Sequence, residues 1–402
     1  MAVTYQDIVA AQSRIAPIVW KTPCTRSETL SKRTGCNLYL KLENLQMTGS
    51  FKERGAYNCL SQLSEEEKNR GIIAASAGNH AQGVAFAAHR FHMDATIVMP
   101  ETTPLVKVTQ TRQYGSNVVL HGDSFAQAHA HALALQAQTG ATLVHAFDDN
   151  AIIAGQGTIG LEIVDQVPDV DMVVVPVGGG GLIAGIAVAV HGARPQVQFF
   201  GVQSAAVPSM QAALDAGKPV AVPDARTMAD GIAVRRVGEH TLPLVQQHVR
   251  QVVTVDEEEL AEAVLVLLEV EKTVAEGAGA AALAAVLQGQ VPVAGRNVVV
   301  VVSGGNIDVN LIARIISRGL IKSGRSMRVQ VELTDVPGSL ASLLAVVARC
   351  KANVLQVSHD RTAMTAGMLE AWVELTLETR GFSHGREVLR ALAAAGFRTS
   401  SE

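Results

Sequence analysis

Residues 171–190 read DMVVVPVGGGGLIAGIAVAV, which places an apolar strand, four glycines and an apolar helix in direct succession. The region from Met172 to Ala193 is long enough to span a bilayer, but Pro176 and the glycines divide it into two elements. Backbone N–H groups of a glycine loop at the start of a helix bind anions, most often phosphate. The stretch therefore predicts an α/β protein with an anion site and no membrane segment.

The composition indicates an aliphatic core and argues against nucleic acid as a partner. Hydrophobic residues make up 48% of the 402-residue chain and aromatic residues only 4%, a balance typical of helices packed on a parallel sheet. Lys and Arg number 33 against 37 Asp and Glu, a net charge of −4 without long runs of either sign. The length allows two to three domains.

Strand and helix patterns alternate through the first three-quarters of the chain. After a helical segment at 5–15, short apolar runs lie at 37–43, 71–76, 94–100, 117–122, 142–147, 171–177, 197–203 and 297–305. Most are separated by Ala-rich amphipathic stretches, so the sequence predicts an open, mostly parallel sheet.

The pattern changes after SGRS at 323–326. Strands at 328–334, 353–361 and 368–378 and helices at 339–351 and 384–395 predict a separate βαββα domain. Alternation in its last strand predicts one apolar face, formed by Leu369, Ala371, Val373, Leu375 and Leu377.

The cysteines and the N-terminus favour a reduced, cytoplasmic setting. The four cysteines form neither a CxxC pair nor a regular spacing, so no disulfide framework or zinc site is predicted. Asp7, Gln12 and Arg14 interrupt the N-terminal segment where a secretion signal would need an apolar run.

Two further small-residue loops end apolar strands, SAGNH at 76–80 and SGGN at 303–306. The carboxyl ends of strands form the ligand crevice in open α/β sheets, so we expect these loops and the glycine run to share one site.

Lys52 follows Phe51 in TGSFKERGA. Its amine can form a Schiff base with an aldehyde whose phosphate the glycines hold and whose ring Phe51 covers. The combination predicts pyridoxal phosphate.

A dinucleotide fits the glycines less well. Gly179, Gly181 and Ala184 match the dinucleotide pattern, but the following strand ends at Gln203 and Ser204, without a carboxylate for the ribose. The second match, GQGTIG at 155–160, lies inside a predicted helix, and we interpret it as helix packing.

In this order, SFKERGA, SAGNHAQGVA, GGGGL and SGGN resemble the serine/threonine dehydratase family of fold-type II pyridoxal-phosphate enzymes, over residues 5–322. TDVPGSL at 334–340 resembles an ACT domain, a small regulatory fold. The resemblance implies a two-lobed α/β catalytic unit at 1–322 with a small lobe at about 48–150, a linker at 323–327 and an α+β ACT domain at 328–402. One appended ACT domain resembles the threonine dehydratases (threonine ammonia-lyases) of that family. The implied reaction converts L-threonine or L-serine to 2-oxobutanoate or pyruvate and ammonia by elimination of water.

The resemblance also implies roles for the motif residues. Lys52 would be the Schiff-base lysine and the base that removes the α-proton, and Phe51 would pack on the cofactor ring. Asn79 would bind the ring hydroxyl and Ser303 the pyridine nitrogen. Glu53 departs from the apolar residue expected in many relatives, but should point away from Lys52 on the helix. The phosphate would be held by Gly178, Gly179, Gly180, Gly181 and Leu182. The substrate carboxylate would be held by Ser76, Ala77, Gly78, Asn79 and His80.

Individual residues bear on whether the chain has one of the related functions. Serine racemase would need a serine at Ala77 as its second base, and alanine cannot transfer a proton. The divalent-cation site of that relative needs carboxylates where this chain has Gln203 and Ser209, so no metal is expected. A hydroxyaspartate dehydratase stays open, with Arg235 and Arg236 as candidates for the second carboxylate, although exposed arginines are more common. A sensor on an inactive scaffold is disfavoured, because the lysine and the glycine loop are both retained.

The ACT resemblance implies regulation and assembly. We expect Gly338 and Asn353 near an effector, and the hypothesis is a branched-chain amino acid such as isoleucine, because threonine dehydration feeds its biosynthesis. A purely structural dimerisation module is the alternative. ACT domains commonly pair across subunits, so a homodimer or homotetramer is expected.

Overall fold

A computed structural model describes residues 2–360 and 369–401, and the chain divides into two compact units, Met1–Ile307 and Asp308–Glu402. The strands of the first unit are β1 (Cys24–Arg26), β2 (Asn37–Leu42), β3 (Ile72–Ala75), β4 (Ala95–Met99), β5 (Asn117–Leu120), β6 (Thr142–Leu143), β7 (Met172–Pro176), β8 (Gln198–Ser204), β9 (Gln251–Val255) and β10 (Asn297–Val302). Its helices are α1 (Tyr5–Ile15), α2 (Glu28–Thr34), α3 (Lys52–Leu60), α4 (Glu65–Arg70), α5 (Asn79–Arg90), α6 (Leu105–Arg112), α7 (Phe125–Thr139), α8 (Asn150–Gln166), α9 (Gly181–Ala193), α10 (Ser209–Ala216), α11 (Thr241–His248), α12 (Glu257–Glu269) and α13 (Gly277–Leu287).

The larger sheet has the strand order β1-β2-β10-β7-β8-β9. All of its neighbours are parallel except β1, which pairs antiparallel with β2. The central strands β7 and β10 are buried, as their unbroken runs of valine predict for strands covered on both faces. The mostly parallel α/β architecture is confirmed. The sequence reading missed the strands β1 and β9 at this sheet's edges.

The smaller sheet, β5-β4-β3-β6, is wholly parallel and comes from chain between β2 and β7. The strand predicted at 142–147 is shorter than expected. The backbone N–H groups of Phe147 and Asp148 donate to Nδ1 of His145, at 3.2 and 2.8 Å, which turns the chain out of the sheet. Residues after Val144 therefore form a loop rather than a strand.

Glycines let three helices approach at backbone distance. A β-carbon on Gly155 of α8 would lie 2.6 Å from Cα of Gly55 in α3. Two residues further along, on another face of α8, a β-carbon on Gly157 would lie 2.8 Å from the carbonyl oxygen of Gly185 in α9. Such distances exclude any side chain. The interpretation of GQGTIG as a packing pattern is confirmed, and α8 separates α3 from α9.

The second unit contains α14 (Val309–Lys322), β11 (Ser326–Thr334), α15 (Ser339–Arg349), β12 (Asn353–Asp360), β13 (Glu370–Glu378), α16 (Phe382–Ala394) and β14 (Arg398–Ser401). Its strands form an antiparallel sheet in the order β12-β13-β11-β14. This α+β arrangement has the fold class expected of an ACT domain, with the unpredicted strand β14 added at one edge. The second unit begins at Asp308 and so includes α14. The sequence predicts a domain boundary further along, at the linker 323–327, and that boundary stays a prediction.

One face of β13 forms the core of the second unit. Ala371, Val373, Leu375 and Leu377 are fully buried, as predicted. Leu369 is the exception, because it precedes the strand and is 79% exposed. The predicted strand ends at 361 and 368 lie outside the described residues. Among the helices of residues 2–360 and 369–401, none has the length and apolar character to cross a membrane.

Candidate active site

Lys52 is the first residue of α3 and its side chain is half-buried. Its Nζ donates to the carbonyl oxygen of Ala146, 2.8 Å away, in the loop that follows β6. Removal from water lowers the pKa of Lys52 to about 8, although the charge of Glu276 opposes the shift. The Phe51 ring lies beside the amine, with its centroid 5.2 Å from Nζ. Lys52 therefore holds a reactive amine next to an aromatic ring.

The glycine run links β7 to α9 in a conformation that side chains would block. Gly180 has φ +99°, in the left-handed region that favours glycine. A β-carbon on Gly179 would lie 2.2 Å from the ring of Phe147. Oγ1 of Thr241 donates to the carbonyl oxygen of Gly179 at 2.6 Å and holds the loop. The first turn of α9 offers N–H groups without intrahelical acceptors, so this loop fits a phosphate.

Residues 48–51, which lead into Lys52 and are called the lysine loop below, are joined to the end of β10. Ser50 pairs with Gly304 in an antiparallel bridge, and the N–H of Phe51 donates to the carbonyl oxygen of Ser303 at 3.1 Å. Ser303 is buried, with its Oγ 3.5 Å from the carbonyl oxygen of Ala278. The backbone thus brings SGGN against the segment that ends in Lys52.

SAGNH forms the turn from β3 into α5. The N–H of Gly78 donates to Oγ of Ser76 at 3.3 Å, and α5 begins at Asn79, so the turn offers backbone donors to an anion. The ring of His80 points elsewhere, because its Nε2 lies 3.0 Å from the carbonyl oxygen of Val144. Burial lowers the pKa of His80 to about 3, so this ring is neutral. Ala77 lies in the same turn and is partly buried.

Glu276 and Asn306 are site residues that the sequence reading did not single out. Nδ2 of Asn79 donates to Oε1 of Glu276 at 2.6 Å, and Nδ2 of Asn306 donates to Oδ1 of Asn79 at 2.8 Å. Burial, reinforced by Asp230, raises the pKa of Glu276 to about 8. Asn306 could have been predicted, because it is the last residue of the SGGN motif. Glu276 could not, because it precedes a helix of small residues and belongs to no motif.

Glu53 points away from Lys52, as expected, but it is fully buried. Its Oε2 accepts from the N–H of Thr48 at 2.8 Å. Burial raises the pKa of Glu53 although the Thr48 hydrogen bonds oppose the shift. The carboxyl group closes the turn of the lysine loop, a role open to no apolar residue.

The residues considered for a second carboxylate and for a divalent cation make contacts with other parts of the protein. Arg235 and Arg236 are exposed and donate to the carbonyl oxygen of Val222 and to Glu239. Gln203 is buried, and its Nε2 lies 3.4 Å from Oγ of Ser209.

The two effector candidates lie at the starts of elements in the second unit. Gly338 precedes α15 with φ +95°, and a β-carbon there would meet no atom within 4 Å. Asn353 begins β12, and its Nδ2 donates to Oε2 of Glu378 at 3.3 Å.

The residues present fit pyridoxal phosphate. A phosphate loop that excludes side chains lies in the same unit as a desolvated lysine with an aromatic neighbour. The two further strand-end loops, SAGNH and SGGN, contact each other through Asn79 and Asn306, and SGGN contacts the segment before Lys52. These are the features that a phosphorylated aldehyde requires.

Comparisons with known proteins agree with this geometry. Residues 15–304 match the family model of pyridoxal-phosphate dependent enzymes. The chain is 52% identical over 395 residues to an L-threonine ammonia-lyase of Thermotoga maritima, and the alignment covers 98% of each chain. Two solved structures superpose with TM-scores of 0.75. One is the processed form of threonine deaminase isoform 2 from Solanum lycopersicum, at 38% identity over 79% of this chain and 90% of that one. The other is maize serine racemase, at 33% identity over 80% and 99%. The predictions of an enzyme and of its cofactor are confirmed: this chain belongs to the pyridoxal-phosphate dependent enzyme family.

Proposed function

We propose that this protein deaminates L-threonine, and more slowly L-serine, by eliminating water from the hydroxy amino acid. The observation that carries the proposal is the Lys52 amine, desolvated to a pKa of about 8 and held at Ala146 beside Phe51. The full-length similarity to an L-threonine ammonia-lyase supports threonine as the substrate. The overall reaction loses water from the amino acid and regains it on hydrolysis, which gives 2-oxobutanoate and ammonia.

Each part of the site has a role in this proposal. Residues 178–182 hold the cofactor phosphate, Phe51 covers the ring, Asn79 binds the ring oxygen and Ser303 meets the pyridine nitrogen. The turn at 76–80 binds the substrate carboxylate through its backbone and short side chains. When bound, pyridoxal phosphate supplies an electron sink that acidifies the α-proton of an amino acid.

Lys52 accepts the α-proton at Nζ. An ordinary lysine, with a pKa of about 10.4, is almost wholly charged at neutral pH and cannot accept a proton. A lysine with a pKa of about 8 has a substantial neutral fraction at pH 7–8. The carbonyl oxygen of Ala146 orients the amine through the hydrogen bond at 2.8 Å. Ser303 brings a hydroxyl rather than a carboxylate, so it does not enforce a positive charge on the nitrogen it meets.

The alternatives have weaker support in the described contacts. Racemisation needs a second proton carrier, and Ala77 has none. Recognition of a second carboxylate would need an unpaired cation at the substrate. Arg236 is paired with Glu239, and Arg235, although it keeps its charge, is exposed and donates from Nε to the carbonyl oxygen of Val222.

A substrate comparison tests the proposal. We expect the kcat/KM for oxo-acid release to be highest with L-threonine, lower with L-serine and at least about tenfold lower with 3-hydroxyaspartate, whose unpaired carboxylate would be costly to bury. Oxo-acid formation coupled to a dehydrogenase gives the rates. A preference for hydroxyaspartate, or release of D-serine in place of an oxo acid, would contradict the assignment.

We further propose that residues 328–402 are an ACT domain that regulates residues 1–322 in a cytoplasmic homodimer or homotetramer. Gly338 supports an effector site, because it adopts a left-handed conformation directly before α15 and a β-carbon there would meet no atom within 4 Å, which leaves open space beside the start of the helix. The free cysteines support a reducing compartment.

Branched-chain amino acids test the regulatory proposal. We expect isoleucine to change the apparent KM for threonine by about fivefold or more and to raise the melting temperature, because an effector must bind one state in preference to the other. Enzyme assays and thermal melts with isoleucine and valine measure both effects. A Gly338→Leu variant should lose the response while keeping the basal rate. No change in either measurement would reject the effector class.

A further inference from the structure

The carbonyl oxygen of Thr48 fixes the orientation of the Asn306 side chain. Nδ2 of Asn306 lies 2.7 Å from this oxygen. A carbonyl oxygen only accepts hydrogen bonds, so Asn306 must present its NH2 group there, whichever way the amide is drawn. The second hydrogen of the same nitrogen then goes to Oδ1 of Asn79, 2.8 Å away.

Asn306 in turn fixes Asn79. Because Asn306 offers a donor, Asn79 must face it with its oxygen, and its NH2 group points to the opposite side. There Oε1 of Glu276 accepts one of the two hydrogens at 2.6 Å. The second hydrogen of Asn79 Nδ2 is the one that a ligand acceptor can use.

Glu276 is held in place by backbone and by glycines. Its own N–H donates to the carbonyl oxygen of Gly304 at 3.1 Å. A β-carbon on Gly304 would lie 2.6 Å from Oε1 of Glu276, and one on Gly231 would lie 3.3 Å from it. The carboxyl group therefore packs closely against two glycine-containing loops while it accepts from Asn79.

We propose that Asn306 and Glu276 are positioning residues, which lock the Asn79 amide with one N–H aimed at the bound cofactor. The inference rests on the proposed function and extends it. The relay from the Thr48 carbonyl oxygen through Asn306 and Asn79 to Glu276 leaves the amide one orientation, so the donor needs no reorganisation when the cofactor binds.

Asn306→Asp is the sharpest test, because it keeps the size and removes the donor. A carboxylate cannot donate to Thr48 or to Asn79, so the amide of Asn79 loses its fixed orientation. We expect the dissociation constant for pyridoxal phosphate, measured by titrating the full-length apo chain, to rise about tenfold or more. The absorbance maximum of the bound cofactor should shift as well. Wild-type affinity and an unchanged spectrum in this variant would overturn the inference.

Two variants at Glu276 keep the test decisive if Asn306→Asp does not fold. Glu276→Gln retains an acceptor for Asn79 and should bind pyridoxal phosphate within about threefold of the wild type. Glu276→Leu removes the acceptor and should bind about tenfold more weakly. Equal affinities for the two would overturn the relay.

Asn44→Asp is the matched control. Asn44 is a buried asparagine whose Nδ2 also makes two donated hydrogen bonds, to Thr273 and Val274, outside the relay. This variant should lose stability but keep the cofactor spectrum, and a loss of cofactor affinity equal to that of Asn306→Asp would count against the relay. If the wild type itself takes up no pyridoxal phosphate, the proposed function fails rather than the inference.

Discussion

Replacing Lys52 with alanine is expected to lower threonine turnover by at least about 10³-fold and to remove the visible absorbance of the covalently bound cofactor. Both effects follow from the loss of one amine, which joins the cofactor and accepts the α-proton. The apo protein should fold normally, because the hydrogen bond from Nζ to Ala146 is the one interaction of this kind that the amine makes among the described residues. Oxo-acid release, the absorbance spectrum and the melting temperature measure the three outcomes.

Two companion variants separate charge from reactivity. Lys52→Arg keeps a cation of similar reach, but a guanidinium stays charged at every accessible pH, so this variant should be as inactive as Lys52→Ala. Lys32→Ala removes an exposed lysine of α2 and should leave rate and spectrum unchanged. Oxo-acid formation at the wild-type rate by Lys52→Ala would refute the assigned role.

Arg54→Leu is expected to lower the free energy of unfolding by about 3–5 kcal/mol, the usual effect of removing one partner from a buried ion network. The guanidinium of Arg54 donates to both oxygens of Glu43, at 2.8 Å each, and to both oxygens of Glu162, at 2.7 and 2.9 Å. Lys41, the fourth buried charge, contacts Glu162 at 2.5 Å. Without Arg54, two buried carboxylates would share one cation.

Urea unfolding of the apo protein tests this expectation, and Arg70→Leu is the control. Arg70 pairs with Glu66 one helical turn away at the surface, where such a pair contributes about 0.3–0.5 kcal/mol. Because Arg54 lies two residues after Lys52 in α3, its loss should also weaken cofactor binding. A free-energy change below about 1 kcal/mol for Arg54→Leu would show that the network adds little.

The architecture could be predicted from the sequence, because apolar periodicity and glycine loops are patterns formed by residues that are close together in the chain. The strands β7 and β10 and the loop that follows β7 could be located this way. The course of residues 144–149 could not, because a single side chain, His145, accepts two backbone N–H groups there and ends the strand. Leu369 fits the alternation of β13 but precedes the strand, and alternation alone does not show where pairing begins.

The predicted part of the site was the part built from motifs. Lys52, Asn79 and Ser303 stand in recognisable segments, and their loops come together. Glu276 was missed because its partner Asn79 is 197 residues away in the chain, so no local pattern links them. Glu53 was predicted to point away from Lys52, but its burial depends on the Thr48 backbone, which only the folded turn supplies.

The backbone contacts of α8 also bear on which aldehyde the protein selects. Lys52 begins α3 and the phosphate loop begins α9, and both helices touch α8 at glycines. At these contacts no side chain separates the backbones, so the distances of α3 and α9 from α8 do not depend on side-chain packing there. The glycines of α8 thereby help to fix the separation between the start of α3, which carries Lys52, and the start of α9, where the phosphate would bind, so a cofactor that joins the two must match that separation.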